Sequence, residues 1–81
     1  MTESVFTLRY ERFRGLLVHA RKSKGLTQQD VAARLERPQS FVSKYERGER
    51  RLDVVEFLQV ADALGIDPHK LLRTLQAGND A

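Results

Sequence analysis

Apolar positions recur at Leu8, Tyr10, Phe13, Leu16, Leu17 and Ala20, the spacing of one helix face, and predict a first helix from about Thr7. Gly15 interrupts this stripe at some loss of helix propensity and marks a candidate close contact. Lys22 and Lys24 fall in the last turn, where cations complement the helix dipole, and Gly25 is a good stop. Thr27 reads as the N-cap of a second helix, with Asp30 in its first turn and Val31, Ala32 and Leu35 as its inner face. That helix ends near Leu35, because a Glu36-Arg37-Pro38 turn follows and proline disfavours helix at the residue before it.

Pro38 suits the entry to a third helix. On a wheel of ~100° per residue with Val42 at the origin, Tyr45 falls at about −60° and Glu46 at about +40°, facing inward. Ser40, Ser43, Lys44 and Arg47 cluster on the opposite side, between about +100° and +200°. Phe41 sits on the flank, and Gly48 can supply the left-handed residue that ends the helix. After the basic loop Glu49-Arg50-Arg51-Leu52, Asp53 can cap a fourth helix. Its apolar residues Val54, Phe57, Leu58, Val60, Ala61 and Leu64 are dense enough to predict burial on more than one side. Gly65 stops it, and Asp67-Pro68 restarts a fifth helix running to Leu75. The pattern predicts an all-α, five-helix domain over residues 1–81, with an extension at 1–6, a helical core at 7–75 and a loose tail at 76–81. No stretch reads as strand.

Composition narrows the function classes. Eighty-one residues make one domain with a small core. There is no cysteine, and His19 and His69 lack ligand spacing, so no metal or other cofactor is expected. Without an apolar run near ~20 residues or a signal-peptide pattern, the expectation is a soluble cytoplasmic protein with no membrane role. No nucleophile–base pair stands out, so an enzyme is not expected. The net charge of +3 hides an asymmetry. Residues 1–51 hold 12 Lys/Arg against 6 Asp/Glu, whereas residues 52–81 hold 2 against 5. A basic half points to a polyanion partner.

The stretch from Gly25 to Gly48 is two short helices joined by a tight turn, the layout of a helix-turn-helix. An α-helix fits the major groove of DNA, where base edges display distinguishable donors and acceptors. Gln39, Ser40 and Lys44 lie near the start of the third helix and carry the groups that read such edges: Gln pairs with adenine, Lys donates to guanine, and Ser suits either. Gln28 opens the second helix, and a helix N-terminus is a natural phosphate site. Ser43, Arg47, Arg50 and Arg51 complete a phosphate-facing set that fixes register without reading sequence. Phe41 has two open readings, contact with a thymine methyl or cover for the flank of its helix.

The segments ARKSKGLTQQDVA, RPQSFVSKYERGERR and VADALGI together resemble the XRE-type helix-turn-helix domain of the lambdoid phage repressors and Cro proteins, over residues 14–66. The resemblance implies the lambda-repressor-like five-helix fold with helices 2 and 3 as the DNA reader. By position it assigns base contacts to Gln39, Ser40 and Lys44, and gives Gln28 a phosphate contact that also braces Gln39. Ala32 falls where a small residue lets the two helices cross, and Arg21 with Glu46 where an ion pair ties helix 1 to helix 3. Three positions depart from the family pattern: Glu36 replaces a common glycine, so a different turn shape is expected, Arg37 replaces an apolar residue, and Leu52 replaces a frequent proline. The function implied is sequence-specific binding of double-stranded DNA by a transcriptional regulator, with repression favoured. A homodimer on two half-sites is expected, joined through Leu72 and Leu75 or through Val5, Phe6 and Leu8. The alternative is an antitoxin-type DNA-binding protein that also binds a protein partner.

Overall fold

The computed structural model describes the backbone of residues 2–78 and the side chains of residues 8–78. Among the described residues there are five helices and no strand: α1 (Thr2–Ser23), α2 (Gln28–Leu35), α3 (Gln39–Glu46), α4 (Val54–Leu64) and α5 (Pro68–Ala77). The expected all-α, five-helix architecture is therefore present. Two boundaries move. Helix α1 begins at Thr2 rather than near Thr7; the added residues contain neither glycine nor proline, so nothing in them opposes helix. Helix α5 runs on to Ala77, and its end is tied to α1 by Arg12 Nη1, which donates to the Gly78 carbonyl at 2.8 Å.

The caps follow the residue chemistry. Thr27 and Asp53 each accept a hydrogen bond from the third helical amide, and the Asp30 and Glu56 carboxylates each accept one from the capping residue's own N–H. Asp67 accepts from the His69 amide, with Pro68 opening α5. Several helix C-termini receive a cation from another part of the chain. Arg14 donates to the Glu46 carbonyl at 2.6 Å, Arg34 to Ala63 at 2.8 Å, and Lys24 to Gly65 at 3.0 Å. These carbonyls have no partner within their own helices, and the negative end of the helix dipole adds to the attraction.

The core gathers Phe13 and Leu17 of α1, Val31 and Ala32 of α2, Phe41, Val42 and Tyr45 of α3, Phe57, Val60 and Leu64 of α4, and Leu71 of α5. Phe13 meets Phe57 edge-on at 5.3 Å, and Ala32 is buried where α2 and α3 pack, as its size requires. One expectation fails and another holds only in part. A Cβ on Gly15 would meet nothing within 4 Å, so this glycine permits no close helix contact. Helix α4 is buried against both α2 and α5, through Phe57, Val60, Ala61, Ala63 and Leu64, yet Val54, Val55 and Leu58 are 74%, 63% and 43% exposed. One domain of this size has too few partners to cover every apolar residue of that helix.

Candidate nucleic-acid interface

Helices α2 and α3 are joined by a turn with Glu36 in the left-handed region, at φ 58° and ψ 43°. The Glu36 amide reaches Ala33 O at 3.2 Å and the Arg37 amide reaches Ala32 O at 3.0 Å, closing the end of α2. The altered turn shape expected from a non-glycine residue does not occur. Glu36 adopts the conformation glycine would supply, and carries the steric strain itself.

Behind this turn the two helices are locked by polar contacts. Arg21 of α1 donates from Nε to Glu46 Oε2 at 2.7 Å and from Nη2 to Glu46 Oε1 at 3.0 Å, and its Nη1 reaches the Leu26 carbonyl. Glu46 is buried, on the inner side where the helical wheel placed it. Gln28 Nε2 donates to Glu46 Oε1 at 2.9 Å, and Gln39 Nε2 donates to Gln28 Oε1 at 3.2 Å. Arg21, Glu46, Gln28 and Gln39 thus form one continuous line from the helix interior to the solvent-exposed start of α3. Burial, aided by the neighbouring Glu46, pushes the Tyr45 hydroxyl above its ordinary range, so it stays protonated beneath this line.

Ser40 and Lys44 are exposed on the outer side of α3, beside Gln39, and Ser43 is half-buried. Arg47 closes the end of α3 and pairs with Glu49 at 3.1 Å, both side chains more than half exposed. Arg50 makes a two-pronged contact with Glu56 at 3.0 and 2.8 Å, and Arg51 lies over the Tyr10 ring at 4.3 Å. The residues singled out in the sequence therefore fall into an inner brace, an outer edge and a basic rim. Phe41 is buried, edge-on to Tyr45, with the guanidiniums of Arg37 and Arg50 at 4.4 and 4.9 Å from its ring centre. Its open reading resolves toward covering the helix flank.

Sequence reasoning missed three participants. Glu56 holds Arg50 and lies 4.0 Å from Arg37, and its carboxyl is pulled down to about 2 by Arg50 first and by the Asp53 amide second. The spacing of Asp53 and Glu56 was a readable capping-box signal. Tyr10 accepts a hydrogen bond from the Leu52 amide at 3.1 Å, which explains how the loop after α3 is held without proline. Arg14 anchors the end of α3, a role no local pattern announces. Among the described residues no His/Cys/Asp/Glu group could hold a metal ion, and no helix is long and apolar enough to cross a membrane.

Comparison with known proteins agrees with this geometry. A helix-turn-helix family model matches residues 18–71, two thirds of the chain. A solved XRE-family-like protein from Pseudomonas syringae pv. tomato str. DC3000 is 48% identical, with a TM-score of 0.93 over 98% of this chain and 96% of that one. The restriction-modification controller protein C.AhdI from Aeromonas hydrophila is 35% identical, with a TM-score of 0.70 over 76% and 94%. An uncharacterized HTH-type transcriptional regulator of Sinorhizobium fredii (strain NBRC 101917 / NGR234), y4dJ, is 40% identical over 52 residues, which are 64% of this chain and 68% of that protein.

Proposed function

Since the chain belongs to the XRE-type helix-turn-helix family of DNA-binding transcriptional regulators, we propose that it binds duplex DNA sequence-specifically and represses transcription by occupying its operator. Helix α3 enters the major groove with Gln39, Ser40 and Lys44 at base edges. Helix α2 lies across the backbone, its first-turn amides and Gln28 at a phosphate. Ser43, Arg47, Arg50 and Arg51 hold further phosphates. Arg50 can do so without leaving Glu56. Of its five N–H donors, three are engaged by Glu56 and the Arg51 carbonyl, and Nε–H and one Nη2–H remain to face outward. The observation that carries the reading is the Gln39–Gln28 hydrogen bond beside exposed Ser40 and Lys44, a polar edge held in one place by a buried ion pair. The reading needs no cofactor and no catalysis, and places the protein with cytoplasmic DNA.

A single module of this size touches few base pairs, so a homodimer on two half-sites completes the reading. Val54 and Leu72 are exposed and line one apolar groove with Tyr10, Phe13 and Phe57. Leu75 is partly buried against the domain's own core and lines the same groove, Leu8 is exposed as well, and Val5 and Phe6 lie outside the described side chains. Both expected α5 residues, Leu72 and Leu75, therefore border this surface. We assign this surface to a second copy in preference to an antitoxin-type protein partner, because the second copy also supplies the second half-site.

Selection from random duplexes at a stated salt concentration tests the proposal. It should enrich a palindrome whose half-sites lie about 34 Å apart. Lys44→Ala and Gln39→Ala should then lose discrimination between sites, while Arg51→Ala weakens binding evenly on all sequences and lowers the salt slope by about 1. No enrichment, or an unchanged operator affinity in all three variants, would end this docking arrangement. Leu72→Asp should sediment as a smaller species, and if it does not, α5 is not the interface.

A further inference from the structure

We infer that Arg21 and Glu46 decide which way round the Gln39 amide faces DNA, and so act as positioning residues for base choice although neither reaches the groove. The inference rests on the proposal that Gln39 meets a base edge. Its physical basis is the direction of donation along the polar line behind the recognition helix. A carboxylate paired with a guanidinium only accepts hydrogen bonds. Both Glu46 oxygens receive Arg21, and Oε1 lies 2.9 Å from the Gln28 amide. Gln28 must therefore turn Nε2 inward, since the opposite orientation would set its oxygen against the carboxylate. That leaves Gln28 Oε1 as the atom facing Gln39, 3.2 Å away, and Gln39 must in turn donate with Nε2. An amide's two ends are ordinarily assigned from their surroundings. Here one fixed acceptor assigns both amides in sequence.

For the DNA the consequence is an ordered edge. Gln39 offers its second N–H on the side nearer Gln28, and its oxygen on the farther side. Adenine presents an N6–H donor and an N7 acceptor in the major groove, which this edge matches in one order. A reversed Gln39 would place N–H where the oxygen stands and donate to guanine O6 or thymine O4 instead. The buried ion pair thereby excludes bases that the exposed glutamine alone would tolerate. Glu46 is 6% exposed, and the Arg21 side chain 12%, so neither makes that choice by contact.

The decisive variant is Arg21→Met combined with Glu46→Met. It removes the fixed acceptor, leaves Gln28 and Gln39 intact, and replaces a buried ion pair with apolar side chains, an exchange folds often tolerate. Competition binding on the operator selected by the wild type should show adenine preference over guanine and thymine at the Gln39 position falling about fivefold or more. Binding to random duplex at the same salt should change less than about twofold, because neither Arg21 nor Glu46 is itself at a phosphate and the α2 amides and the basic rim are unchanged. A folded double variant that keeps the wild-type preference overturns the inference.

Two further measurements decide the matter should that variant not fold. Gln28→Met cuts the line at its half-exposed middle and should give the same loss of adenine preference, and retention of the preference refutes the mechanism. In the DNA-free wild type, NMR should place the Gln28 Nε2 protons beside the Arg21 guanidinium. A hydrogen-bond coupling from Gln28 Nε2 to the Gln39 side-chain carbonyl instead reverses the direction and refutes it. A wild type that selects no operator removes the sequence-specific reading, while the NMR result still judges the direction of the line.

Discussion

Replacing Glu36 with glycine should stabilise the protein by about 1 kcal/mol, by the sum of three effects. At φ 58° and ψ 43° an L-residue carries roughly 1–2 kcal/mol of steric strain that glycine lacks. Glycine returns about 0.4–1 kcal/mol of that through the greater freedom of its unfolded chain. The substitution also removes a carboxylate from the negative end of α2, a position unfavourable by about 0.3–1 kcal/mol. The hydrogen bonds that close the turn run from the amides of residues 36 and 37, so they survive the change. The assay is urea and thermal unfolding, where each kcal/mol moves the Tm of a domain this size by about 4–8 °C. Glu36→Gln is the control, because it recovers only the charge effect and keeps the strained backbone. Equal gains from the two variants would show that the strain is no larger than the entropy glycine forfeits, below the range used here, and a glycine variant less stable than the wild type would refute the reasoning outright. The order of preferred operator sequences should not change, since glycine retains the turn that presents α3.

The other predictions concern single contacts. Gly15→Ala should stabilise by about 0.5–1 kcal/mol in the same unfolding assay, because the added methyl enters open space on an exposed helix face. Leu52→Pro should destabilise by about 1 kcal/mol through loss of the amide that donates to Tyr10, and should do less harm in a Tyr10→Phe background. Glu56 has a folded-state pKa lowered from 4.5 to about 2, so its contribution is present above 4.5 and is lost as pH falls toward 2. Acid unfolding curves of Glu56→Gln should be flatter across that window than those of the wild type.

Where each residue's role depended on its own helix, the sequence was a reliable guide. Val42, Tyr45 and Glu46 turned inward as the wheel required, and Thr27, Asp53 and Asp67 capped the helices they precede. The family resemblance added the Arg21–Glu46 pair, which joins residues 25 apart and has no local signature. Roles set by a third element were hidden. Phe41 could not be resolved on a wheel because Arg37 and Arg50, from either side of α3 in sequence, meet at its ring. Gly15 suggested a contact only because glycine in a helix invites one, and no neighbour came near it. The apolar excess of α4 was visible, but the exposure of Val54 and Leu58 depends on what one copy of the chain leaves uncovered.

Charge shows the same division with a functional consequence. The basic half of the sequence pointed to a polyanion, yet many of those cations serve the fold. Arg12, Arg14, Lys24 and Arg34 donate to carbonyls at helix ends, and Arg21 is committed to Glu46. In the proposed docking the cations that meet phosphate are Arg47, Arg50 and Arg51, at the end of α3 and in the loop after it. Two of these are held by acidic partners, Arg47 by Glu49 and Arg50 by Glu56. Such partners lower the long-range attraction to DNA but fix the direction in which each guanidinium points. Weak steering with well-aimed donors favours discrimination between sites over indiscriminate binding, because the sequence-independent part of affinity grows with the number of phosphates neutralised. A basic rim restrained in this way suits a protein whose recognition edge is itself held in one orientation by a buried ion pair.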